Sequence, residues 1–210
     1  MVNNLFIDGL DCWTTYGIGL TSYEGALDLP KRKKSISKNW PDEHGEDVDA
    51  SWNYYETRDI KLNLFIQAAS EALFHTQLNA FFTAIRGTNL RQVRFNHIPK
   101  VFMSYCDGGI AIQRKTKFSA SKVVATFQLS FIEPQPITRQ YTNAGSNTAS
   151  FIITCAKTIT IYWGDGTIET VTGTAVSKSH AYAAGARYCV LAGDIEAITA
   201  LTSVVNLTLI

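Results

Sequence analysis

The sequence has no run of some 18 consecutive apolar residues, so it offers no bilayer-spanning helix, and no membrane insertion is expected. Its opening, Met1-Val-Asn-Asn-Leu-Phe-Ile-Asp8, lacks the basic start and apolar stretch of a secretory signal. A net charge of +1 removes any global attraction to nucleic acid or acidic lipid. Cys12, Cys106, Cys155 and Cys189 form no CxxC pair, which argues against a zinc framework and for free thiols packed as small hydrophobes. No GxSxG elbow, HExxH helix, Walker lysine or strand-following GxGxxG occurs, so no catalytic, cofactor-binding or metal residue is assigned and no enzyme is expected.

What is present falls into two halves. Residues 1–140 hold 16 of the 19 Lys/Arg and 14 of the 18 Asp/Glu, leaving a Thr-rich remainder with little charge. Glu133-Pro-Gln-Pro136 and Asn143-Ala-Gly-Ser-Asn147 lie between them, and the prolines cannot continue a central strand. A boundary therefore belongs between about 134 and 148, giving domains over 1–135 and 141–210.

The first half reads as strands. Residues 60, 62, 64 and 66 are apolar around polar 61 and 63, and positions 123, 125, 127, 129 and 131 repeat that period of two. Shorter strands are expected near 3–7, 14–20, 91–97, 100–106 and 110–115. One helix over 69–86 interrupts them, with Ala69, Leu73, Leu78, Phe81, Phe82 and Ile85 as its apolar stripe and Gly87 as its left-handed cap. A β-sandwich or barrel with one flanking helix follows from that order.

A polar insertion runs from Lys31 to about Ser51, basic at Lys31, Arg32, Lys33 and Lys34 and acidic at Asp42, Glu43, Glu46, Asp47 and Asp49. It is too polar to bury itself and reads as an exposed excursion. Its two charged ends suit complementary patches on adjacent subunits, with Lys31, Arg32, Lys33, Lys34, Glu43, Glu46 and Asp47 as contact candidates. His44 among the acids fits neither a zinc helix nor an EF-hand loop. The single basic run lacks the aromatic-studded face of a nucleic-acid module, so no nucleic acid is expected.

Ile161-Tyr-Trp-Gly-Asp-Gly-Thr-Ile-Glu-Thr170 raises the question of a phosphate loop. A phosphate loop must open a helix, whereas Thr167-Ile-Glu-Thr-Val171 alternates as a strand. Gly164-Asp-Gly166 is therefore a hairpin turn. The end of the chain, Ile195–Ile210, resembles the opening of a leucine-rich repeat, but one partial repeat buries no face and a closing strand is expected instead.

Two resemblances give these segments a family context. Trp163-Gly-Asp-Gly-Thr167, His180-Ala-Tyr182 and Gly185-Ala-Arg-Tyr-Cys-Val190 resemble the signature of PKD-type β-sandwich domains, although the residue usual between the aromatic and GDG is missing. That resemblance implies structural roles for Trp163, Asp165, Gly166, His180, Tyr182 and Tyr188, and no catalysis. Leu5-Phe-Ile-Asp-Gly9, Tyr16-Gly-Ile-Gly-Leu20, Leu29-Pro-Lys-Arg-Lys33, the polar loop, Tyr55–Leu62, the helix and Phe127–Pro134 together resemble the N-terminal domain of distal tail proteins of long-tailed bacteriophages. The resemblance covers roughly 1–135.

The expected fold is mainly β: a tail-tube-like β-sandwich or barrel with one flanking α-helix, then a small PKD-like β-sandwich. The tail resemblance implies a phage or prophage virion structural protein, a homo-oligomeric, hexameric ring joining the tail tube to tail-tip or receptor-binding proteins. It also implies assembly in the host cytoplasm and an outward C-terminal domain facing a fibre, a receptor-binding protein or a host surface glycan. The alternative is a bacterial surface adhesion protein with a PKD-like module, against which the missing export signal counts. A glycan-processing enzyme with an accessory PKD-like domain would need paired carboxylates in a cleft.

Overall fold

The computed structural model describes residues 5–34, 37–42, 44–45, 47–49, 51, 54–117, 121–143, 148–183, 187–204 and 207–209. The protein is mainly β. Its strands and helices are, in chain order, β1 Leu5–Ile7, β2 Leu10–Asp11, α1 Cys12–Tyr16, β3 Ile18–Glu24, β4 Ser37–Lys38, β5 Asp47–Val48, β6 Arg58–Ala68, α2 Glu71–Ile85, β7 Arg91–Phe95, β8 Val101–Asp107, β9 Ile112–Arg114 and β10 Val123–Glu133. Then follow β11 Arg139–Asn143, β12 Thr148–Tyr162, β13 Ile168–Ala181, β14 Arg187–Gly193, β15 Ile198–Val204 and β16 Leu207–Leu209.

The first sheet runs β2-β1-β7-β8-β10-β6-β3, with β9 also on β10. Its spine is the eleven-pair antiparallel ladder between β6 and β10. The register sets Ile60 against Phe131, Leu62 against Leu129, Leu64 against Phe127 and Ile66 against Ala125. All eight are buried, so the alternation legible in the sequence becomes one continuous apolar face. Helix α2 covers that face. Phe81 packs edge-on against Phe127 at 6.1 Å and against Tyr16 at 5.6 Å.

Three local expectations are corrected here. The buried stripe of α2 is Phe74, Leu78, Phe81 and Ile85, whereas Leu73 is 41% exposed and Phe82 half-buried. Steps of four, three and four residues keep one helical face, while the five-residue step from Leu73 to Leu78 turns about 140° away from it. Gly87 does not take the left-handed cap, since α2 ends at Arg86 with φ −89°. The glycine instead makes room for Arg91, whose guanidinium lies where a Cβ would stand. The strand expected over 14–20 splits: the Asp11 carboxylate accepts from the Trp13 amide and opens α1, and Gly17 closes it at φ 65° before β3 begins.

The second sheet runs β13-β12-β14-β11-β16, with β15 on β12. β12 serves two sets of partners. Residues 150–155 pair with β15, and 159–162 pair with β14, across register shifts near Thr154 and Cys155. β13 bends with it, so Lys178 reaches back to Glu169 on the same strand at 2.9 Å. The enclosed core is an aromatic succession in which Tyr141, Phe151, Trp163, His180 and Tyr182 each meet the next within 5.8 Å. The expected closing strand at the C-terminal end is present as β15 and β16.

The corrected helix face makes a direct test. Phe81→Ala should cost about 3–5 kcal/mol in urea unfolding, as a fully buried aromatic truncation. Leu73→Ser should stay within about 0.5 kcal/mol of the native protein. Equal losses at both positions would mean that the helix is rotated from the face described.

Candidate assembly surface and the joint behind it

The arm begins and ends at one end of the β6–β10 ladder. The last pair of that ladder is Arg58 opposite Glu133, both buried, with Arg58 Nε 3.3 Å from the Glu133 carboxylate. Arg58 also donates to the Ala26 carbonyl at 3.1 Å and faces the Phe102 ring. Burial raises the Glu133 pKa against the pull of Lys100 and Arg58, and burial likewise lowers that of Lys100. Continuing each inward alternation one step beyond its apolar residues, from 60 to 58 and from 131 to 133, lands on this pair. That was the available sequence signal for two residues the sequence reading passed over.

From that end the arm projects. At its root the Lys33 amide donates to the Tyr54 carbonyl and the Glu56 amide to the Lys31 carbonyl, around an Arg32–Tyr55 bridge. Further out, Ser37 and Lys38 pair with Val48 and Asp47. The backbone thus satisfies itself where the side chains bury little. Lys31, Arg32, Lys33 and Lys34 are all exposed at the root, and Asp47 is exposed opposite Lys38. Glu43 and Glu46 lie outside the described residues. The exposed apolar side chains Leu27, Leu29, Trp40 and Val48, which charge-based reading overlooked, share this region with them.

A cleft of about 370 Å³ lies where the arm root meets the second sheet, lined by Lys33, Tyr54, Tyr55, Pro134, Pro136 and Asp194 among others. The two sheets are joined by a buried apolar contact of Val101, Met103 and Val190, flanked by Leu90, Tyr162 and Tyr188. Gln140 is buried and grips both backbone groups of Val101, accepting from its amide at 2.8 Å and donating to its carbonyl at 2.6 Å. Gln92 donates to the Tyr188 carbonyl at 2.8 Å, and Arg94 lies over Phe6 and Tyr188.

Tyr188 therefore sits at this joint, whereas the other PKD-like signature residues gather at the 163–167 turn. There the Trp163 amide donates to the Thr167 carbonyl, the Thr167 amide to the Asp165 carboxylate, and the Tyr182 hydroxyl to the Trp163 carbonyl. Gly164, at φ 96°, is pressed against the Tyr188 carbonyl, and a Cβ there would stand 2.6 Å from it. Gly166, also left-handed, faces open space. His180 stacks on Trp163 and lies 2.7 Å from Asp165. Burial raises the Asp165 pKa, but the hydrogen bonds from His180 and Thr167 outweigh it and hold the carboxyl below its ordinary value. Cys12, Cys155 and Cys189 are buried and Cys106 half-buried, all as free thiols; burial pushes Cys12 up to about 12 and Cys189 to about 11. Among the described residues no three His, Cys, Asp or Glu converge as metal ligands.

No family model matches the chain, and no curated protein matches it. Among solved structures it is similar to the SPP1 Dit (gp 19.1) protein, described as a paradigm of the hub adsorption apparatus of phages that infect Gram-positive bacteria. The identity is 10% and the TM-score 0.48, over 100% of this chain and 97% of that one.

Two outcomes are expected from these interactions. Glu133→Ala leaves the Arg58 charge buried without its counter-ion and should cost about 3–5 kcal/mol in denaturant unfolding; a loss below about 1 kcal/mol would show the pair to be solvated. Because the Asp165 pKa is lowered on folding, its contribution is present above the unfolded carboxylate value near about 4 and is lost as pH falls through the folded one. The stability gap between the native protein and Asp165→Asn should therefore be widest near neutrality and close in acid. A gap independent of pH would remove the carboxylate's electrostatic role.

Proposed function

We propose that this chain is a non-enzymatic structural protein of a phage or prophage tail, a distal tail component whose first domain assembles into a ring. The ring, taken as hexameric from the sequence resemblance, joins the tail tube to the tip. The second domain faces outward toward a receptor-binding protein, a fibre or a host surface glycan, and assembly takes place in the host cytoplasm. The observation that carries this reading is the arm: a backbone-paired, exposed excursion with Leu29 at its foot 91% and Val48 54% exposed. Such side chains bury nothing in one copy and gain their free energy only against a neighbour. The element order of the first domain, from the β1–β2 hairpin through the arm, the central ladder and its covering helix, supports the same reading.

The polar groups with altered ionisation support a structural role. Glu133 meets Arg58 at the buried end of a ladder, and Asp165 ties a hairpin turn to His180. Each is engaged in holding backbone elements together. The second domain is fixed to the first through Gln92, Gln140 and the Val101–Met103–Val190 contact, which suits a component that must transmit position along an assembly.

Concentrated protein imaged by negative-stain electron microscopy and sized by analytical ultracentrifugation should form closed rings. Replacing residues 34–53 with a short Gly/Ser linker should keep the melting temperature within a few degrees and abolish the rings. A two-fold dimer as the highest assembly at every concentration would overturn the ring.

A further inference from the structure

Five of the twelve exposed large apolar side chains among the described residues fall between positions 27 and 54. They do not form one patch. Leu27 and Leu29, 69% and 91% exposed, precede the exposed Lys31, Lys33 and Lys34 at the arm root. Trp40 and Val48, 41% and 54% exposed, lie beyond the root with the exposed Asp42, Asp47 and Asp49. The arm thus has two poles, each apolar, with opposite charge around them. Local ions do not erase the contrast. Lys38 is held over the Trp40 ring at 4.2 Å and opposite Asp47, while Asp28 and Glu56 at the root are outweighed by the basic run.

The poles of one arm are kept apart by its own pairing. Arg32 bridges Tyr55 at the root and Lys38 pairs with Asp47 toward the tip, six residues further along the chain. Six residues reach at most about 20 Å, and two poles on one paired arm can each be offered to a different copy.

We infer that the arms dock head to tail: the basic, leucine-bearing root of one copy receives the acidic, Trp40-bearing tip of the next. The occupant of the root is a second copy of this chain, selected by charge complementarity and by apolar surface on both sides. The contact is heterologous, so every copy offers one root and one tip, and closure leaves neither pole unused. This rests on the ring reading above and names the surface that closes the ring. Because the charges are exposed, salt screens them, and assembly weakens as ionic strength rises.

The test is a charge exchange. A root-reversed variant carries Lys31→Glu, Lys33→Glu and Lys34→Glu, and a tip-reversed variant carries Asp42→Lys, Asp47→Lys and Asp49→Lys. Each alone should need on the order of tenfold or more higher concentration to assemble than the native protein, with an unchanged circular dichroism melting curve. An equimolar mixture should recover rings, because each reversed root then meets a reversed tip, and the copies must alternate. The six substitutions in one chain should also restore assembly. A second measurement does not depend on charge: copies with Leu29→Cys mixed with copies with Trp40→Cys should form the mixed disulfide under mild oxidation, in excess over either homodimer. If the native protein forms rings but the folded mixture stays dispersed, or only homodimeric disulfides appear, the root docks elsewhere and the head-to-tail contact is wrong while the ring stands. If the native protein forms no rings under any condition, the ring reading falls and this contact with it.

Discussion

The β6–β10 ladder is the constraint on which the rest of the molecule depends, and its last pair decides where everything else is attached. Arg58 and Glu133 end the two strands together, buried and ion-paired. The arm returns to the body two residues before Arg58, and the connection to the second sheet leaves one residue after Glu133. Both projections therefore spring from one rigid end of the first sheet. A buried ion pair gives weak net stability compared with an apolar pair of similar volume, because desolvation offsets the attraction. Its gain here is register. Slipping one strand by one residue would turn either Lys61 or Gln128 to the helix side and separate Arg58 from its only opposing carboxylate in the ladder.

The joint follows from that placement. With the linker fixed at Glu133, Gln140 comes to lie beside Val101 and closes the end of β8 from the second domain, supplying one donor and one acceptor in a buried position. The contact is small and largely apolar, but its hydrogen bonds go to backbone groups that would otherwise be buried without partners. Gly164 allows the 163–167 turn to press on the Tyr188 carbonyl from the same side. The turn read in the sequence as a plain hairpin is thus also one wall of the joint. Its glycine is needed for close approach as much as for its backbone angle.

How much of this was legible depends on the range of the interaction. Alternation over 60–66 and 123–131 is local, so both central strands and their buried faces could be read from the chain. The amphipathic helix was legible as an element, but its face was misjudged at Leu73, although the four-three-four spacing of Phe74, Leu78, Phe81 and Ile85 already favours Phe74. Gly87 was assigned a cap because glycine after a helix usually serves one. Arg91, reaching across to Asp8, uses the space instead. The strand expected over 14–20 took in the end of α1, because the Asp11 and Gly17 caps that close so short a helix leave no periodic pattern. The joint was not legible, since Gln92, Gln140 and Arg94 carry no pattern until two sheets bring them together.

The arm illustrates the opposite limit. Its charges were conspicuous in the sequence, and its apolar residues were not, because isolated exposed side chains have no periodicity to mark them. Yet charges alone give a solvated loop no reason to hold a shape, since exposed ion pairs contribute little. The backbone pairing at Arg32–Tyr55 and Lys38–Asp47 supplies the shape, and the leucines, tryptophan and valine supply surface that water disfavours. In the proposed ring, electrostatics would select which surfaces meet, and apolar burial would hold them. A segment built in this way is stable enough to be presented and too poor in internal contacts to be an end in itself. In the proposed ring, a neighbouring copy supplies the burial that its own chain does not.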